Sequence, residues 1–149
     1  MSEGLPADAD DQSISGDEIL YRRIPLHPPD MIQSTDVLGE FRPSSGNFRS
    51  VGPLSVDRGS LSSPEQTRDR AKPAVFHVAG FHAKVARQCG CRVVKDPLPD
   101  NPAHALLYGD HESGTGALNG KQTKAIARAA RLVLLGNISS SEEGAASGG

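Results

Sequence analysis

The sequence predicts a small α+β protein with a mixed sheet, two main helices, an irregular N-terminal half and disordered termini. Three observations predict this class. The chain has 149 residues, enough for one hydrophobic core and too few for two. Its second half alternates β-prone runs with stretches of helical spacing, the pattern of a sheet with helices on one face. Its two ends are polar and offer little apolar surface to bury.

The folded domain is expected to span residues 18–137. An acidic leader at residues 1–17 and a Ser/Gly-rich tail at 138–149 are expected to be disordered. Eight of the 18 acidic residues lie in residues 1–18 or at 142–143, whereas all 16 basic residues lie between them, which leaves residues 19–141 with a net charge of +6. A basic body between acidic ends is typical of an ordinary solvated surface and also of a surface that binds an anionic partner.

The N-terminal half contains scattered apolar anchors. Residues 19–24 predict a first strand, which Pro25 ends. Residues 31–56 place apolar side chains between turn signals and predict short strands or irregular packed loops. Residues 57–73 are rich in Ser, Arg, Asp and Pro and predict an exposed connector.

The second half is more regular. Its predicted elements are, in order, a strand or helix lead-in at 74–78, a helix near 81–89, a strand at 91–94, a strand at 103–108 and a helix over 119–135. The last helix is the clearest, because Asn119 can cap it and Gln122, three residues later, completes a variant of the capping box. Gly136 is expected to end it.

The last predicted helix carries a basic face. Four cations recur at spacings of three, four and three: Lys121, Lys124, Arg128 and Arg131. No acid interrupts this face, which is typical of a solvated amphipathic helix and also of a helix that binds a phosphate backbone, a nucleotide or an acidic partner. Together with Arg22 and Arg23 of the first strand, these four residues are the predicted anion- or partner-binding set.

The glycine-rich loop before this helix has the topology of a phosphate-binding P-loop but not its spacing. Three residues separate Gly116 from Gly120, and five separate Gly114 from Gly120, whereas the motif needs four. Gln122 also replaces the hydroxyl residue that would contact magnesium. The sequence therefore predicts a flexible loop rather than a nucleoside triphosphatase.

The thiols and imidazoles do not follow a metal-binding spacing. Cys89 and Cys91 are too close in sequence for ordinary disulfide geometry and are expected to be reduced. Their Cys-x-Cys spacing, with His77, His82 and His104, matches no standard zinc site. The sequence therefore indicates no metal and no cofactor.

The segment Leu20-Tyr21-Arg22-Arg23-Ile24, followed by Ser34-Thr35 and Ser44-Ser45, resembles the first-strand Arg and later Ser motif of NAD-dependent ADP-ribosyltransferases. The resemblance implies that Arg22 holds the phosphates of an NAD-like substrate. The later Glu-x-Glu or Gln-x-Glu of that family does not occur in this sequence, and Glu112 is the only acid at a comparable place.

A broader resemblance covers residues 20–135. It is carried by Arg22-Arg23-Ile24-Pro25, Ser44-Ser45 with Phe48, Leu54-Ser55-Val56-Asp57, and Asp96-Pro97 with Pro102-Ala103-His104-Ala105. These stretches look similar to small uncharacterised bacterial proteins of unknown function, which implies a complete small protein but no particular activity. They single out His104, either as a catalytic group or as a strand-end histidine bonded to a neighbouring loop.

Two classes of function follow. The first is a cytoplasmic accessory or binding module that engages a phosphate-rich or acidic partner through the basic helix face and the Arg22/Arg23 region. The alternative is a small enzyme that acts on a nucleotide or NAD-like substrate, with His104, Arg22 and Ser45 around one cleft. A third interpretation is an interaction protein whose acidic leader shields its basic core until a partner arrives.

The expected partners are nucleic acid, a nucleotide or a partner protein encoded nearby. No apolar run approaches the ~20 residues of a membrane-spanning helix, and the acidic N-terminus is unlike a secretory signal. The expected location is therefore the cytoplasm, away from membranes. The sequence leaves the oligomeric state open.

Overall fold

The computed structural model describes residues 9–26, 29–70 and 76–136. Short 3-10 helices lie at Pro29–Met31 and Ser45–Phe48. The strands and helices are, in chain order, β1 (Ile19–Pro25), β2 (Ile32–Ser34), β3 (Phe41–Pro43), β4 (Leu54–Arg58), α1 (Pro64–Asp69), β5 (Phe76–His82), α2 (Ala83–Gln88), β6 (Arg92–Lys95), β7 (His104–Tyr108), α3 (Gly120–Ala129) and β8 (Arg131–Leu134).

A six-stranded sheet forms the centre of the described chain, and the predicted α+β class is confirmed. Its strand order is β6-β7-β4-β1-β5-β8, and a separate pair joins β2 to β3. All five pairings in the large sheet are antiparallel rather than mixed in direction. Three α-helices accompany the sheet, one more than the two main helices that the sequence predicts.

One face of the sheet is apolar and carries the core. Because side chains alternate along a strand, every second residue of the sheet points to this face. Helices α2 and α3 cover it, and Phe48 packs edge-on against Phe81 with ring centroids 5.9 Å apart. The fully or nearly fully buried core residues from the strands are Leu20, Leu54, Val56, Phe81, Val93, Ala105 and Leu107.

Helix α3 begins as predicted and ends earlier. The Asn119 side chain accepts the Gln122 backbone N–H, and the Gln122 side chain accepts the Asn119 backbone N–H, each at 2.9 Å. The predicted capping box is therefore confirmed. The helix ends at Ala129, because Ala130 is extended and the following residues pair with β5 as strand β8. The predicted helix over 119–135 is wrong in its second part, and Arg131 belongs to a strand.

The stretch 57–73 was expected to be an exposed connector, and its described part is largely structured. Its first residue, Asp57, lies in β4 and is almost fully buried. Helix α1 follows, started by a capping box between Ser63 and Gln66 with Pro64 in the first turn. Thr67 of α1 is buried against the sheet. Packing on a sheet face therefore orders a segment whose composition is polar.

Packed structure begins before residue 18, where the sequence places the start of the domain. Ile14 is fully buried in the core. Asp10 accepts hydrogen bonds from Arg87 at 2.9 Å and from the Val93 backbone at 2.9 Å. Asp11 donates its backbone N–H to the Val93 carbonyl at 2.8 Å. The remaining residues of the predicted leader, 1–8, lie outside the described residues, as does all of the predicted tail, 138–149.

In the described part of the chain, no helix has the length and apolar character needed to cross a membrane.

Candidate functional site

A cleft opens in the large sheet where strands β1 and β4 separate, and side chains from both faces of the sheet line it. Strands β1 and β4 pair only at Leu20↔Arg58 and Tyr21↔Asp57, and they diverge beyond these positions. The opening has a volume of about 730 Å³. Its walls come from β1, β4, β5, α1, the 3-10 helix Ser45–Phe48 and residues 98–101. This volume lies within the range of small-molecule sites.

Arg22 bridges the gap between the two strands. Its Nε donates to the Asn47 carbonyl at 3.2 Å, and its Nη1 donates to the Ser55 carbonyl at 2.9 Å. A guanidinium has five N–H groups, so three of them have no partner among the described residues. Burial, with a smaller contribution from the charge of Arg23, lowers the pKa of Arg22 to about 10. The cleft therefore contains a partly buried cation whose guanidinium contacts no carboxylate of the described residues.

Two further arginines line the same cleft. Arg23 donates from Nη1 to the Thr67 carbonyl at 3.0 Å, and its guanidinium carbon lies 5.8 Å from the centroid of the Phe76 ring. Arg49 is exposed and lines the same cleft, and its side chain has no hydrogen bond or ion pair among the described residues. With Arg22, three cleft arginines lack an acidic partner in this part of the chain, which makes the cleft electropositive.

A buried hydrogen-bond network builds one wall. The carboxylate of Asp57 accepts from Thr67 Oγ1 at 2.9 Å, Arg70 Nη1 at 2.7 Å and Asn101 Nδ2 at 2.8 Å. Ser62 adds a contact of 2.9 Å to Thr67 Oγ1. The network joins β4 to α1 and to the 98–101 segment. It therefore fixes the shape of the cleft on that side.

His104 lies at the rim, at the start of β7. Its Nδ1 is 2.9 Å from the Asp96 side-chain oxygen and 3.1 Å from the Asp96 carbonyl. A histidine held through Nδ1 keeps Nε2 for a second partner. The expected contact with a neighbouring loop is present, and His104 also lines the cleft.

Asn47 and several aromatic or apolar side chains complete the lining of the cleft. Asn47 lines the cleft and is buried, and its Oδ1 is the one buried side-chain polar atom of the described residues without a hydrogen-bond partner. Tyr21 and Phe76 supply aromatic surface on the same side of the sheet, and Met31 and Leu98 also line the opening. Burial raises the pKa of the Tyr21 phenol, so this side chain stays neutral near pH 7.

The structure separates the predicted site residues into two groups. Arg22, Arg23 and His104 line the cleft. Ser45 does not. It lines a smaller groove of about 210 Å³ with Lys124 and Arg128, on the other side of the segment that contains Gly46 and Asn47. Arg42 and Ser44 belong to this groove as well.

Three remaining predicted residues lie away from the cleft. Lys121 is exposed in the first turn of α3. Arg131, which the sequence placed on the basic helix face, lies at the start of β8, and its Nε is 3.1 Å from Glu40. Glu112 is exposed in the loop between β7 and α3 and is not part of the cleft wall. That loop folds back through a hydrogen bond of 2.7 Å from Gly109 to the Gly116 carbonyl.

Several cleft residues were not predicted from the sequence: Asn47, Arg49, Asp57, Thr67, Arg70 and Asn101. The one local signal was the alternation of apolar and polar residues in Leu54-Ser55-Val56-Asp57. This alternation puts Asp57 on the face of the strand that Leu54 and Val56 do not occupy. Within the described ranges, no three His, Cys, Asp or Glu side chains form a group that could hold a metal ion.

Comparison with known proteins gives no family assignment. No protein-family model, no curated protein and no solved structure matches this chain. The resemblances to ADP-ribosyltransferases and to small bacterial proteins remain predictions from the sequence.

Proposed function

We propose that this protein binds a phosphorylated small molecule of the nucleotide class in the cleft between β1 and β4. The observation that carries the proposal is the set of three arginines, Arg22, Arg23 and Arg49, that line one concave site without an acidic partner in the described chain. Guanidinium groups bind phosphate oxygens in bidentate geometry, and a partly buried site strengthens that interaction.

Burial favours the cleft over the basic helix face. Lys121, Lys124 and Arg128 are exposed, so water solvates their charges and leaving them unpaired costs little. Arg22 is partly buried, which lowers its pKa, and among the described residues its guanidinium donates only to backbone carbonyls. A bound anion would restore the electrostatic stabilisation that Arg22 loses on burial, which supports the cleft as the primary site.

The nucleotide class fits the other wall groups. Tyr21 and Phe76 offer ring surface on which a base can stack. A ligand with a phosphate and a planar ring would contact both the arginines and this ring surface, whereas inorganic phosphate would contact only the arginines.

The test is calorimetric titration with pyrophosphate, ADP and AMP at low and moderate salt. The expected order of affinity places ADP above pyrophosphate. Arg22→Gln is expected to weaken binding by about 10- to 100-fold, because a hydrogen bond to a charged group contributes about 1.5–3 kcal/mol. The matched control is Lys124→Gln with Arg128→Gln, which should leave affinity within about twofold, since both side chains are exposed on α3.

Two outcomes would overturn the proposal. The first is the absence of binding of any of the three probes at low salt. The second is the reverse pattern, in which the α3 variant loses binding and Arg22→Gln keeps it. Circular dichroism of each variant shows whether a loss of binding reflects a loss of folding.

The contact between His104 and Asp96 favours a second candidate, an enzyme that cleaves a phosphoester of the bound ligand. In this role Asp96 orients the ring through Nδ1, and Nε2 of His104 exchanges a proton with the substrate. Product release from a panel of phosphomonoesters and phosphodiesters, assayed with His104→Gln, tests it. A lower turnover in the variant at unchanged ligand affinity supports an enzyme. Ligand binding by the wild-type protein without any turnover contradicts the enzyme and supports a binding protein without catalytic activity.

A further inference from the structure

Cys89 and Cys91 lie beside each other where α2 ends and β6 begins. Cys89 is the C-cap of α2, and Gly90 adopts the left-handed conformation with φ of +95°. This turn brings the two sulfur atoms to 4.0 Å from each other, and both thiols are free in the structure. We propose that Cys89 and Cys91 form a redox-active dithiol that reacts with a small-molecule disulfide such as oxidised glutathione. The site is independent of the cleft proposed above.

The two thiols differ in access, and this sets the order of their reactions. Cys89 is partly exposed, whereas Cys91 is 4% exposed and packs in the core with Ala86 and Val93. An external disulfide therefore reaches the sulfur of Cys89 first. The Cys91 sulfur is next to it, in the position of a resolving thiol.

Hydrogen bonding between the thiols supports the same assignment. The Cys91 thiol hydrogen-bonds to the Cys89 sulfur and thereby lowers the pKa of Cys89, which outweighs the effect of burial. The same hydrogen bond, together with burial, raises the pKa of Cys91. The reactive thiolate thus forms preferentially on the accessible sulfur, as nucleophilic cysteines require.

Cysteines separated by one residue are too close in sequence for ordinary disulfide geometry, but the left-handed turn at Gly90 brings these two sulfur atoms to 4.0 Å. The sulfur atoms must approach by about 2 Å to reach bonding distance. Cys91 is fixed by a hydrogen bond of 2.9 Å from its N–H to the Ala86 carbonyl, and the Cys89 carbonyl accepts from Gln122 Nε2 at 3.1 Å. The movement falls to the Cys89 side chain, which is partly exposed whereas Cys91 is buried, and its thiol must leave the Ala86 carbonyl, 3.2 Å from Cys89 Sγ.

The reaction balances in two exchange steps. The Cys89 thiolate attacks one sulfur of oxidised glutathione, which forms a mixed disulfide and releases one glutathione thiolate. Cys91 then gives its proton to that thiolate or to solvent, and its sulfur attacks the Cys89 sulfur. The Cys89–Cys91 disulfide forms and a second glutathione leaves as thiolate. The protein is oxidised by two electrons, and one oxidised glutathione is reduced to two glutathiones.

The test is incubation of the full chain in buffers with defined ratios of oxidised to reduced glutathione, followed by acid quenching and intact-mass spectrometry. Wild type is expected to lose the mass of two hydrogen atoms, without accumulating an adduct. Cys91→Ala is expected to accumulate one glutathionyl group on Cys89, because no resolving thiol remains. Cys89→Ser is expected to react at least about tenfold more slowly, because its remaining thiol is buried.

Three results would overturn the proposal. One is a wild-type protein that gains glutathionyl groups and never forms the internal disulfide. Another is a Cys89→Ser variant that reacts as fast as wild type while its circular dichroism spectrum stays native. The third is a wild-type protein that reacts only in denaturant. The wild-type measurement requires no substitution, so it decides the proposal even if a variant fails to fold.

Discussion

The buried Asp57 network offers the sharpest test of how the cleft is held together. The perturbation is Asp57→Asn, which keeps the shape of the side chain and removes its charge. In the native protein the carboxylate accepts from Thr67, Arg70 and Asn101 at 2.7–2.9 Å. An amide presents one acceptor oxygen and one donor nitrogen, so the nitrogen must face a donor in either orientation: Asn101 Nδ2 at the Oδ1 position, or Thr67 and Arg70 at the Oδ2 position.

The expected cost is about 3 kcal/mol of unfolding free energy. Breaking a buried ion pair costs about 3–5 kcal/mol, because the remaining charge stays desolvated. Asp57 is 4% exposed at the side chain and Arg70 is 24% exposed, so Arg70 recovers part of its hydration and the cost lies at the low end. For a domain of this size, a loss of about 3 kcal/mol lowers the melting temperature by about 10 °C.

Urea unfolding followed by far-ultraviolet circular dichroism measures this loss, since the chain contains no Trp for fluorescence. The control is Asp69→Asn, whose carboxylate also pairs with an arginine but is 56% exposed. Its cost should be far smaller, because water solvates this exposed carboxylate. If Asp57→Asn costs less than about 1 kcal/mol, or no more than Asp69→Asn, the network does not hold α1 against β4, and the reasoning fails.

Two further predictions concern the N-terminal part of the fold. Ile14→Ala should cost about 3 kcal/mol because Ile14 is fully buried, whereas Leu61→Ala, at a side chain that is 49% exposed, should stay within about 0.5 kcal/mol; equal costs in urea unfolding would contradict the placement of Ile14 in the core. Burial raises the pKa of Glu18, but hydrogen bonds from Arg58 and Ser60 outweigh it and hold that pKa below its ordinary value of 4.5. The stabilisation from Glu18 is therefore present above pH 4.5 and is lost as the pH falls further, so the stability difference between wild type and Glu18→Gln should shrink there, and a difference independent of pH would refute this.

Local signals explain what the sequence could predict. The start of α3 was predictable because Asn119 and Gln122 form a capping box within four consecutive residues. Its end was not, because residues 131–134 continue the helical spacing of apolar side chains. Those residues form a strand only because they pair with β5, which lies about 50 residues earlier in the chain.

Long-range contacts explain most of what the sequence could not predict about the cleft. Asp57 binds Thr67 ten positions later and Asn101 forty-four positions later. No local pattern links such partners. The sequence therefore predicts an exposed connector at residues 57–73, which are rich in Ser, Arg and Asp, although helix α1 within this segment packs against the sheet.

The sequence predicts His104, Arg22 and Ser45 around one cleft, and the structure brings Arg22 and His104 to one cleft while Ser45 lines a separate groove. The position of Arg22 and His104 around one cleft depends on the order of β1, β4 and β7 in the sheet.

The position of Arg22 connects the architecture of the sheet to the proposed function. Residues 20, 22 and 24 of β1 point to the same face, and both Leu20 and Ile24 are fully buried. An apolar residue at position 22 would continue this row of buried side chains, whereas the partly buried Arg22 guanidinium loses hydration without gaining a carboxylate partner among the described residues. The divergence of β1 and β4 lets the guanidinium reach the Ser55 carbonyl and leaves its other N–H groups without a protein partner in the described chain. Arg22 thus interrupts the row of buried side chains at positions 20, 22 and 24, and it faces a cleft. A ligand that needs the positive charge explains this residue better than fold stability does, and this supports anion binding at Arg22.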